Sequence, residues 1–139
     1  MKLSDLTDIQ LLAGTIRKEA GGEPVLGKMA VACVIRNRVA GGRWPDSWQG
    51  VVLQAQQFSC FNGLDRGSDL SPAWVRVFTE HRAETWWREC QYAAFGAYWG
   101  WYGDVTGGAN HYCRHDCRPA WREGREPTLS IGAHVFFRL

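Results

Sequence analysis

The carboxyl group of Glu19 is the first side chain in this sequence that could do chemistry. It lies in residues 18–24 (KEAGGEP), where a stretch with helical spacing of apolar residues runs into a glycine-rich turn. Apolar neighbours and the C-terminal end of a helix both favour the protonated form of a carboxyl group. Such an acid can protonate the leaving oxygen of a glycosidic bond. The alternative is a surface glutamate that closes the helix and pairs with Arg17 or Lys18, and the spacing alone leaves both interpretations open.

A second group of side chains with possible chemistry follows late in the chain, namely His111, Cys113, His115 and Cys117. Imidazole and thiolate groups are good zinc ligands, and two of each can complete a tetrahedral site. On an extended strand, however, this spacing spreads the ligands over roughly 20 Å, and the usual zinc spacings are two separated pairs. We therefore expect no metal and no other cofactor, with reduced thiols in a polar cleft wall. A zinc site on these four residues and a Cys113–Cys117 disulfide are the alternatives.

The element that must position Glu19 is a helix with clear end signals. Thr7 followed by Gln10 matches a capping box at its start, and Gly21-Gly22 ends it. One buried stripe at helical spacing consists of Ile9, Leu12, Ala13, Ile16 and Ala20. Glu19 falls at the edge of this stripe.

The rest of the chain has mixed signals with more helix than strand. Helical patterns cover residues 27–39, 73–82 and 85–99. The first of these is apolar nearly all round, which predicts a central buried helix. Residues 44–69 alternate short apolar pieces with Gly, Pro, Asp and Asn, which predicts irregular chain with a short hairpin. The glycine-rich tail contains extended pieces such as residues 134–137.

Length and charge indicate an ordinary globular protein. A chain of 139 residues with 45% hydrophobic and 22% charged residues predicts one domain over residues 1–139. Its sixteen Lys and Arg residues are interleaved with fourteen acids, for a net charge of +2. Nucleic-acid binding usually requires a stronger and more clustered basic surface, so we expect no nucleic-acid partner. We expect a monomer.

The aromatic content is high, with eight Trp, six Phe and four Tyr residues. Most of these side chains are expected in the core because they bury large areas. A groove that stacks sugar rings on indole faces would use the same residues. Trp99, Trp101 and Tyr102, beside a glycine-rich segment, are the candidates for stacking.

The N-terminus and the cysteines predict where the chain is made. Ser4, Asp5 and Asp8 follow the start without a charged region and an apolar core, so we expect no signal peptide. The longest strongly apolar stretch, residues 29–35, is too short to span a bilayer, so no stable membrane insertion is expected. Five cysteines, an odd number without secretory context, favour reduced thiols and synthesis in the cytoplasm.

Several blocks resemble the SleB/CwlJ-type cell wall hydrolases, a family that includes spore-cortex lytic enzymes and phage endolysins. The blocks occur in the family's order and extend nearly end to end, with only about residues 63–85 unmatched. They are residues 11–24, 27–39, 44–45, 51–52, 57–59, 104–112 and 132–137. The chain departs from the family after Tyr112, where many members carry further Tyr and Asn-Pro.

The resemblance implies a helix-dominated α+β, lysozyme-like fold with a larger helical lobe, a small β portion and a cleft between them. It also implies cleavage of the bacterial peptidoglycan glycan strand between MurNAc and GlcNAc. The family's catalytic glutamate falls on Glu19 and its second acidic position on Glu23, which we interpret as an orienting or structural carboxylate, with a catalytic role as the alternative. We expect a phage endolysin that waits in the host cytoplasm for holin-type release.

The expected supporting residues lie in the matching blocks and in the aromatic tail. Ser59 and Asn110 could hydrogen-bond an acetamido group, although a turn-forming role suits either residue equally well. The other residues expected to bind substrate or to support the site are His111, Tyr112 and Trp101. His134 is expected to be a core or supporting histidine.

The mechanism stays open between two reactions of the same bond. A lytic transglycosylase needs only Glu19 as acid and base, and the resemblance favours it. A muramidase needs a second carboxylate, for which Asp65 and Asp69 are candidates. The rivals from other classes are a zinc-dependent amidase on the histidine and cysteine residues described above, and a non-catalytic wall-binding module.

Overall fold

The computed structural model describes residues 1–54, 57–58 and 60–139, with helices in the first hundred residues and strands in the last thirty. None of the helices in these described ranges is long and apolar enough to cross a bilayer. The protein is helix-dominated α+β, as predicted. In chain order the elements are a 3₁₀ turn Leu3–Asp5, α1 Asp8–Ala20, α2 Val25–Ala40, α3 Trp48–Val52, α4 Pro72–Thr79, α5 Thr85–Trp99, β1 His111–Arg114, a 3₁₀ turn Ala120–Arg122, β2 Leu129–Ile131 and β3 His134–Phe137.

Helix α1 begins and ends where the sequence predicts. The Thr7 hydroxyl accepts a hydrogen bond from the Gln10 amide at 3.2 Å, and the Gln10 side chain accepts one from the Thr7 amide at 2.8 Å. These two bonds satisfy two of the amide groups that a helix start leaves without partners. Gly21 follows the last helical residue. The predicted stripe is buried, apart from the partly buried Ile9 at its start.

Helix α2 is the central element of the helical part. Residues 30–35 are fully buried, and the helix packs against both α1 and α5. Lys28 in its first turn is also buried, and its ammonium group lies 2.9 Å from the Glu89 carboxylate of α5. Burying a charge is costly unless it is paired, so this contact holds α2 and α5 in register. The prediction of a central buried helix is confirmed.

Helix α5 ends in a close approach between backbone and side chain. Gly100 in the left-handed conformation ends the helix. The chain then turns back, so that the Tyr102 ring lies against Gly96 and its hydroxyl donates a hydrogen bond to the Ala93 carbonyl. A methyl group at Gly96 would overlap the Tyr102 ring. The absence of a side chain at this position therefore lets the segment after α5 pack on the helix.

The three strands form one antiparallel sheet with the order β1-β3-β2. Phe136 of β3 lies opposite Tyr112 of β1 on one side and Leu129 of β2 on the other. All four residues of β3 are buried, as expected for the central strand of a sheet that packs on helices. The prediction that residues 134–137 are extended is confirmed.

The predicted hairpin within residues 44–69 is wrong for the described part of that region, which contains helix α3 and turns. The Ser47 hydroxyl accepts a hydrogen bond from the Gly50 amide at 2.9 Å and starts the helix. Val51 and Val52 are buried on its inner face. The strand propensity of β-branched residues spans only about 1 kcal/mol, which capping and burial outweigh here.

We expect Gly96→Ala to destabilise the protein, although alanine usually stabilises a helix relative to glycine by up to about 1 kcal/mol. The new methyl group must displace the Tyr102 ring, and overpacking of this kind costs about 1–3 kcal/mol. Thermal unfolding should show a melting temperature several degrees below that of the wild type. Gly103→Ala is the matched control because nothing lies within 4 Å of its added methyl group. An unchanged melting temperature for Gly96→Ala would contradict the packing described here.

Candidate active site

Glu19 lies in a cleft of about 410 Å³ between the C-terminal end of α1 and the sheet. Within the described part of the chain, Glu19 is the only carboxylate that lines this cleft. Three cationic side chains line it as well. The full lining is Lys18, Glu19, Arg38, Gln57, Phe58, Tyr112, Cys113, Arg114, Cys117 and His134.

The Tyr112 hydroxyl donates a hydrogen bond to Oε2 of Glu19 at 2.9 Å. Tyr112 lies on β1, and its ring packs on His134 and Phe136 of β3 at centroid distances of 5.1 and 5.7 Å. Burial, followed by the neighbouring Glu19 carboxylate, raises the pKa of Tyr112 well above its usual value. The hydroxyl therefore keeps its proton at neutral pH and serves as a fixed donor that orients the Glu19 carboxyl group.

Glu23 links the turn after α1 to the tip of the hairpin between β2 and β3. Its Oε1 accepts a hydrogen bond from the Ala133 amide at 2.9 Å. Gly132 has a φ of +54°, and an added Cβ there would lie 2.5 Å from Oε2 of Glu23. A glycine is therefore needed at this position. The contact supports the prediction of an orienting or structural role for Glu23.

His134 lies beside Glu23 on the inner face of the sheet. Its Nδ1 is 3.3 Å from Oε1 of Glu23, a separation in the range of an ion pair but without the alignment of a hydrogen bond. Burial lowers the pKa of His134, and the carboxylates of Glu23 and Glu19 only partly oppose this effect. The ring is therefore neutral at neutral pH, and it contacts both the Glu23 carboxylate and the Tyr112 ring.

Arg38 is a cleft residue that the sequence analysis did not identify. It is 6% exposed, and its Nε donates to the Asn110 carbonyl at 2.8 Å while Nη1 donates to the Gln57 side chain at 3.0 Å. The guanidinium also lies over the rings of Trp44 and Phe58. Burial lowers the pKa of Arg38 from its usual value, but the group remains charged. The sequence feature that could have identified Arg38 is its position as a charged residue at the end of an otherwise apolar helix.

The loop before β1 is organised by the Asp104 carboxylate. It accepts hydrogen bonds from the Thr106 amide at 2.8 Å, from the Thr106 hydroxyl at 2.6 Å and from the Gly108 amide at 2.7 Å. The Asn37 amide group of α2 donates to Asp104 at 3.1 Å and to the Ala109 carbonyl at 2.9 Å. Burial alone would raise the pKa of Asp104, but these hydrogen bonds outweigh it and lower the pKa. The loop thus fixes the start of β1, and with it Tyr112.

Asn110 and His111 lie next to the cleft but are engaged elsewhere. The Asn110 side chain donates to the Leu139 carbonyl at 2.9 Å and accepts from the Leu139 amide at 3.0 Å. His111 pairs its Nδ1 with Asn110 at 2.8 Å and lies between the rings of Trp44 and Trp121. Burial, assisted by nearby arginines, lowers the pKa of His111 to about 4. These contacts favour structural roles over recognition of an acetamido group.

Trp101, another of the expected supporting residues, lies away from the Glu19 cleft. Ser59 lies outside the described residues. Trp101 is 67% exposed and borders a separate hollow with Ile9 and Phe95, at the opposite end of α1. Ile9 and Glu19 are ten positions apart on α1, which corresponds to about 15 Å along the helix axis.

The histidine and cysteine residues of the possible zinc site do not converge. All five cysteines are free thiols, and among the described residues no three His, Cys, Asp or Glu side chains form a group that could hold a metal ion. Cys113 and Cys117 border the cleft, whereas His111 is packed between tryptophan rings.

The two carboxylates proposed as a second catalytic group lie outside the Glu19 cleft. Asp65 accepts hydrogen bonds from the Gly67 amide at 2.8 Å and the Ser68 hydroxyl at 3.2 Å, and so stabilises a turn. Asp69 forms an exposed ion pair with Lys2. In the described structure, neither lines the cleft.

Comparison with known sequences agrees with this geometry. The sequence profile of the cell wall hydrolase family matches residues 22–137. The spore cortex-lytic enzyme of Bacillus cereus is 34% identical over 130 residues, which are 93% of this chain and 43% of that protein. The spore cortex-lytic enzyme of Oceanobacillus iheyensis is 31% identical over 93% of this chain and 41% of that protein. The chain thus spans less than half the length of these relatives, and it belongs to the cell wall hydrolase family.

Two solved structures have the same fold. The catalytic domain of the Bacillus cereus SleB protein superposes with a TM-score of 0.69 at 31% identity, over 94% of this chain and 89% of that chain. The catalytic domain of the germination-specific lytic transglycosylase SleB from Bacillus anthracis gives 0.68 at 30% identity, over 94% and 93%. The expected lysozyme-like arrangement of a larger helical part, a small sheet and a cleft is confirmed.

We expect Asp104→Asn to lower the free energy of unfolding at pH 7 by about 1 kcal/mol, because hydrogen bonds to a charged acceptor are stronger than those to an amide. The pKa of Asp104 is depressed in the folded protein. Its contribution is therefore complete above the unfolded pKa and is lost as the pH falls through the folded pKa. Urea unfolding at pH 7 and near pH 3 should show a difference between wild type and variant that shrinks in acid. A difference that grows in acid would contradict the assignment.

Proposed function

We propose that this protein is a lytic transglycosylase that cleaves the peptidoglycan glycan strand between MurNAc and GlcNAc, with Glu19 as its acid and base and residues 1–139 as one catalytic domain. The observation that supports this proposal is the single carboxylate among the described cleft residues. Hydrolysis by inversion or retention uses two carboxyl groups that flank the scissile bond. Transglycosylation needs only one.

The reaction uses Glu19 twice. In its protonated form Glu19 gives a proton to the glycosidic oxygen, the bond from that oxygen to C1 of MurNAc breaks, and positive charge develops at C1. The Glu19 carboxylate then takes the proton of the muramic C6 hydroxyl, whose oxygen bonds to C1. The product is a 1,6-anhydro end, Glu19 regains its proton, and no water is consumed.

Tyr112 and Glu23 position the acid in this proposal. The Tyr112 hydroxyl holds one oxygen of the Glu19 carboxyl group, and Glu23 holds the hairpin on which the neighbouring His134 lies. Lys18, Arg38 and Arg114 supply cations along the cleft, which suit a substrate that carries peptide carboxylates. We propose bacterial peptidoglycan as the partner and a monomer as the active species.

The names of the relatives support a glycan-cleaving role. The Bacillus anthracis neighbour is named a lytic transglycosylase, and the Bacillus cereus relative is named a spore cortex-lytic enzyme. Release from a host cytoplasm after holin action, as in a phage endolysin, is one setting for this chemistry, and the spore cortex is another. Both settings place the substrate in bacterial cell wall.

We expect Glu19→Gln to abolish fragment release from purified peptidoglycan, since loss of a general acid and base costs at least about 10²-fold in rate. Mass spectrometry should detect anhydro-muropeptides from the wild type and from the exposed control Glu80→Gln, but none from Glu19→Gln. Circular dichroism should show that all three proteins are folded.

Other products would identify the rival functions. Reducing MurNAc ends would mean hydrolysis, and a second carboxylate would then be required. Activity that survives Glu19→Gln but is lost with EDTA would indicate a zinc amidase. Tight binding to sacculi without release of fragments would indicate a wall-binding module.

We expect Tyr112→Phe to lower kcat by roughly 10- to 100-fold with little change in KM. A hydrogen bond to a charged group contributes about 1.5–3 kcal/mol, and each 1.36 kcal/mol corresponds to about tenfold in rate. The substitution removes only the hydroxyl, which contacts Glu19, and leaves the ring that packs on the sheet. The phenylalanine variant should therefore keep its melting temperature within a few degrees of the wild-type value. Wild-type kcat in this variant would show that Tyr112 does not position the acid.

A further inference from the structure

The five cysteines fall into two chemical groups. Cys33 and Cys90 are fully buried, and the Cys60 thiol donates a hydrogen bond to the Gly14 carbonyl at 3.4 Å. Burial raises the pKa of Cys33 and Cys60, and it raises the pKa of Cys90 to about 11. Because the thiolate is the reactive form, these three thiols are unreactive in the folded protein at neutral pH. Cys113 is partly buried and Cys117 is exposed.

Cys113 and Cys117 lie close together across a tight turn. The Cys117 amide donates to the Arg114 carbonyl at 3.0 Å, which closes a turn directly after β1. The residues that close this turn, Arg114 and Cys117, have Cα atoms within about 7 Å of each other, and Cys113 directly precedes the turn. The Cys113 sulfur is 3.8 Å from the Cys117 carbonyl oxygen. This contact brings the Cys113 sulfur to the backbone of Cys117, and a disulfide between the two residues would require a Cα separation of about 4.4–6.8 Å.

Arg122 connects the same two residues. One nitrogen of its guanidinium group, Nη1, lies 3.7 Å from the Cys113 sulfur and 2.7 Å from the Cys117 carbonyl oxygen. The same nitrogen also donates to the His115 carbonyl at 3.2 Å. These contacts hold the turn against the end of β1, so the distance between the two cysteines does not depend on the turn alone.

We propose that Cys113 and Cys117 are a redox-active thiol pair on the wall of the Glu19 cleft, which low-molecular-weight disulfides oxidise to an intramolecular disulfide. Both residues line the cleft that contains Glu19. A bulky adduct on either sulfur would occupy space that a glycan needs. The second thiol converts that adduct into a compact cross-link and expels the bulky group.

The chemistry proceeds by two thiol–disulfide exchanges with oxidised glutathione as the probe. The thiolate of the exposed Cys117 attacks one glutathione sulfur, a Cys117–glutathione bond forms, the glutathione disulfide breaks, and the released thiolate takes up the proton lost by Cys117. The Cys113 thiolate then attacks the Cys117 sulfur and displaces the second glutathione, which takes up the proton lost by Cys113. Two cysteines are oxidised, and one glutathione disulfide is reduced to two thiols.

The test is intact-mass analysis of the whole chain after incubation with oxidised glutathione at neutral pH. The wild type should lose the mass of two hydrogen atoms, and dithiothreitol should reverse the change. Trypsin cleaves after Arg114, between the two cysteines, so the oxidised protein should yield two peptides joined by a disulfide. Cys113→Ser should instead keep one glutathionyl group on Cys117, because no resolving thiol is present.

Cys60→Ser is the matched control, and it should behave as the wild type does. A stable glutathione adduct on the wild type, an intermolecular dimer, or no reaction under conditions that modify the urea-unfolded chain would each overturn the proposal. The readout is a mass and needs no substrate. Its result is therefore independent of whether Glu19 acts as a transglycosylase acid.

Discussion

The position of Glu19 depends on contacts that hold the sheet against the end of α1. Glu23 provides one such contact through the Ala133 amide, and Tyr112 provides another through Glu19 itself. Both contacts join residues about ninety or more positions apart in the sequence. The buried helix α2 also stabilises these contacts. Asn37 donates to the Ala109 carbonyl in the loop before β1, and Arg38 donates to the Asn110 carbonyl directly before the strand that carries Tyr112. The Glu19 carboxyl group is thus held by the whole fold and not by its own helix alone.

The electrostatic character of the cleft follows from the same arrangement. A single described carboxylate faces three cationic side chains and a tyrosine donor, while the Glu23 carboxylate is turned toward the hairpin backbone. His111 and His134 are both neutral because burial lowers their pKa values. In the proposed reaction, proton transfer in the cleft therefore depends on Glu19, and the cations around it suit the negative charges of a wall polymer.

Local sequence signals were sufficient where local interactions decide the structure. The start and end of α1, the buried character of α2 and the range of α5 follow from capping residues, glycine stops and apolar spacing. The hairpin predicted within residues 44–69 is wrong for the described residues because the burial of Val51 and Val52 comes from the tertiary fold, which a short window does not contain.

The site could be predicted from the sequence less completely than the fold. Glu19 entered as a candidate through its local sequence and the resemblance, and Tyr112 through the resemblance, but their hydrogen bond joins residues 93 positions apart and no spacing predicts it. Arg38 was missed because a charged residue in a helix is usually exposed. Trp101 was chosen for its type, whereas its position at the far end of α1 depends on where the chain turns after α5. Each failure concerns a long-range contact.

The strand order has a consequence for how the molecule is assembled. Both β1 and β2 pair only with β3, among the described strands, and β3 follows both of them in the sequence. No part of the sheet can form before β3 is available, so during synthesis the helices can collapse while the Glu19 cleft still lacks its opposite wall. The Glu19 cleft is therefore complete only after β3 has left the ribosome.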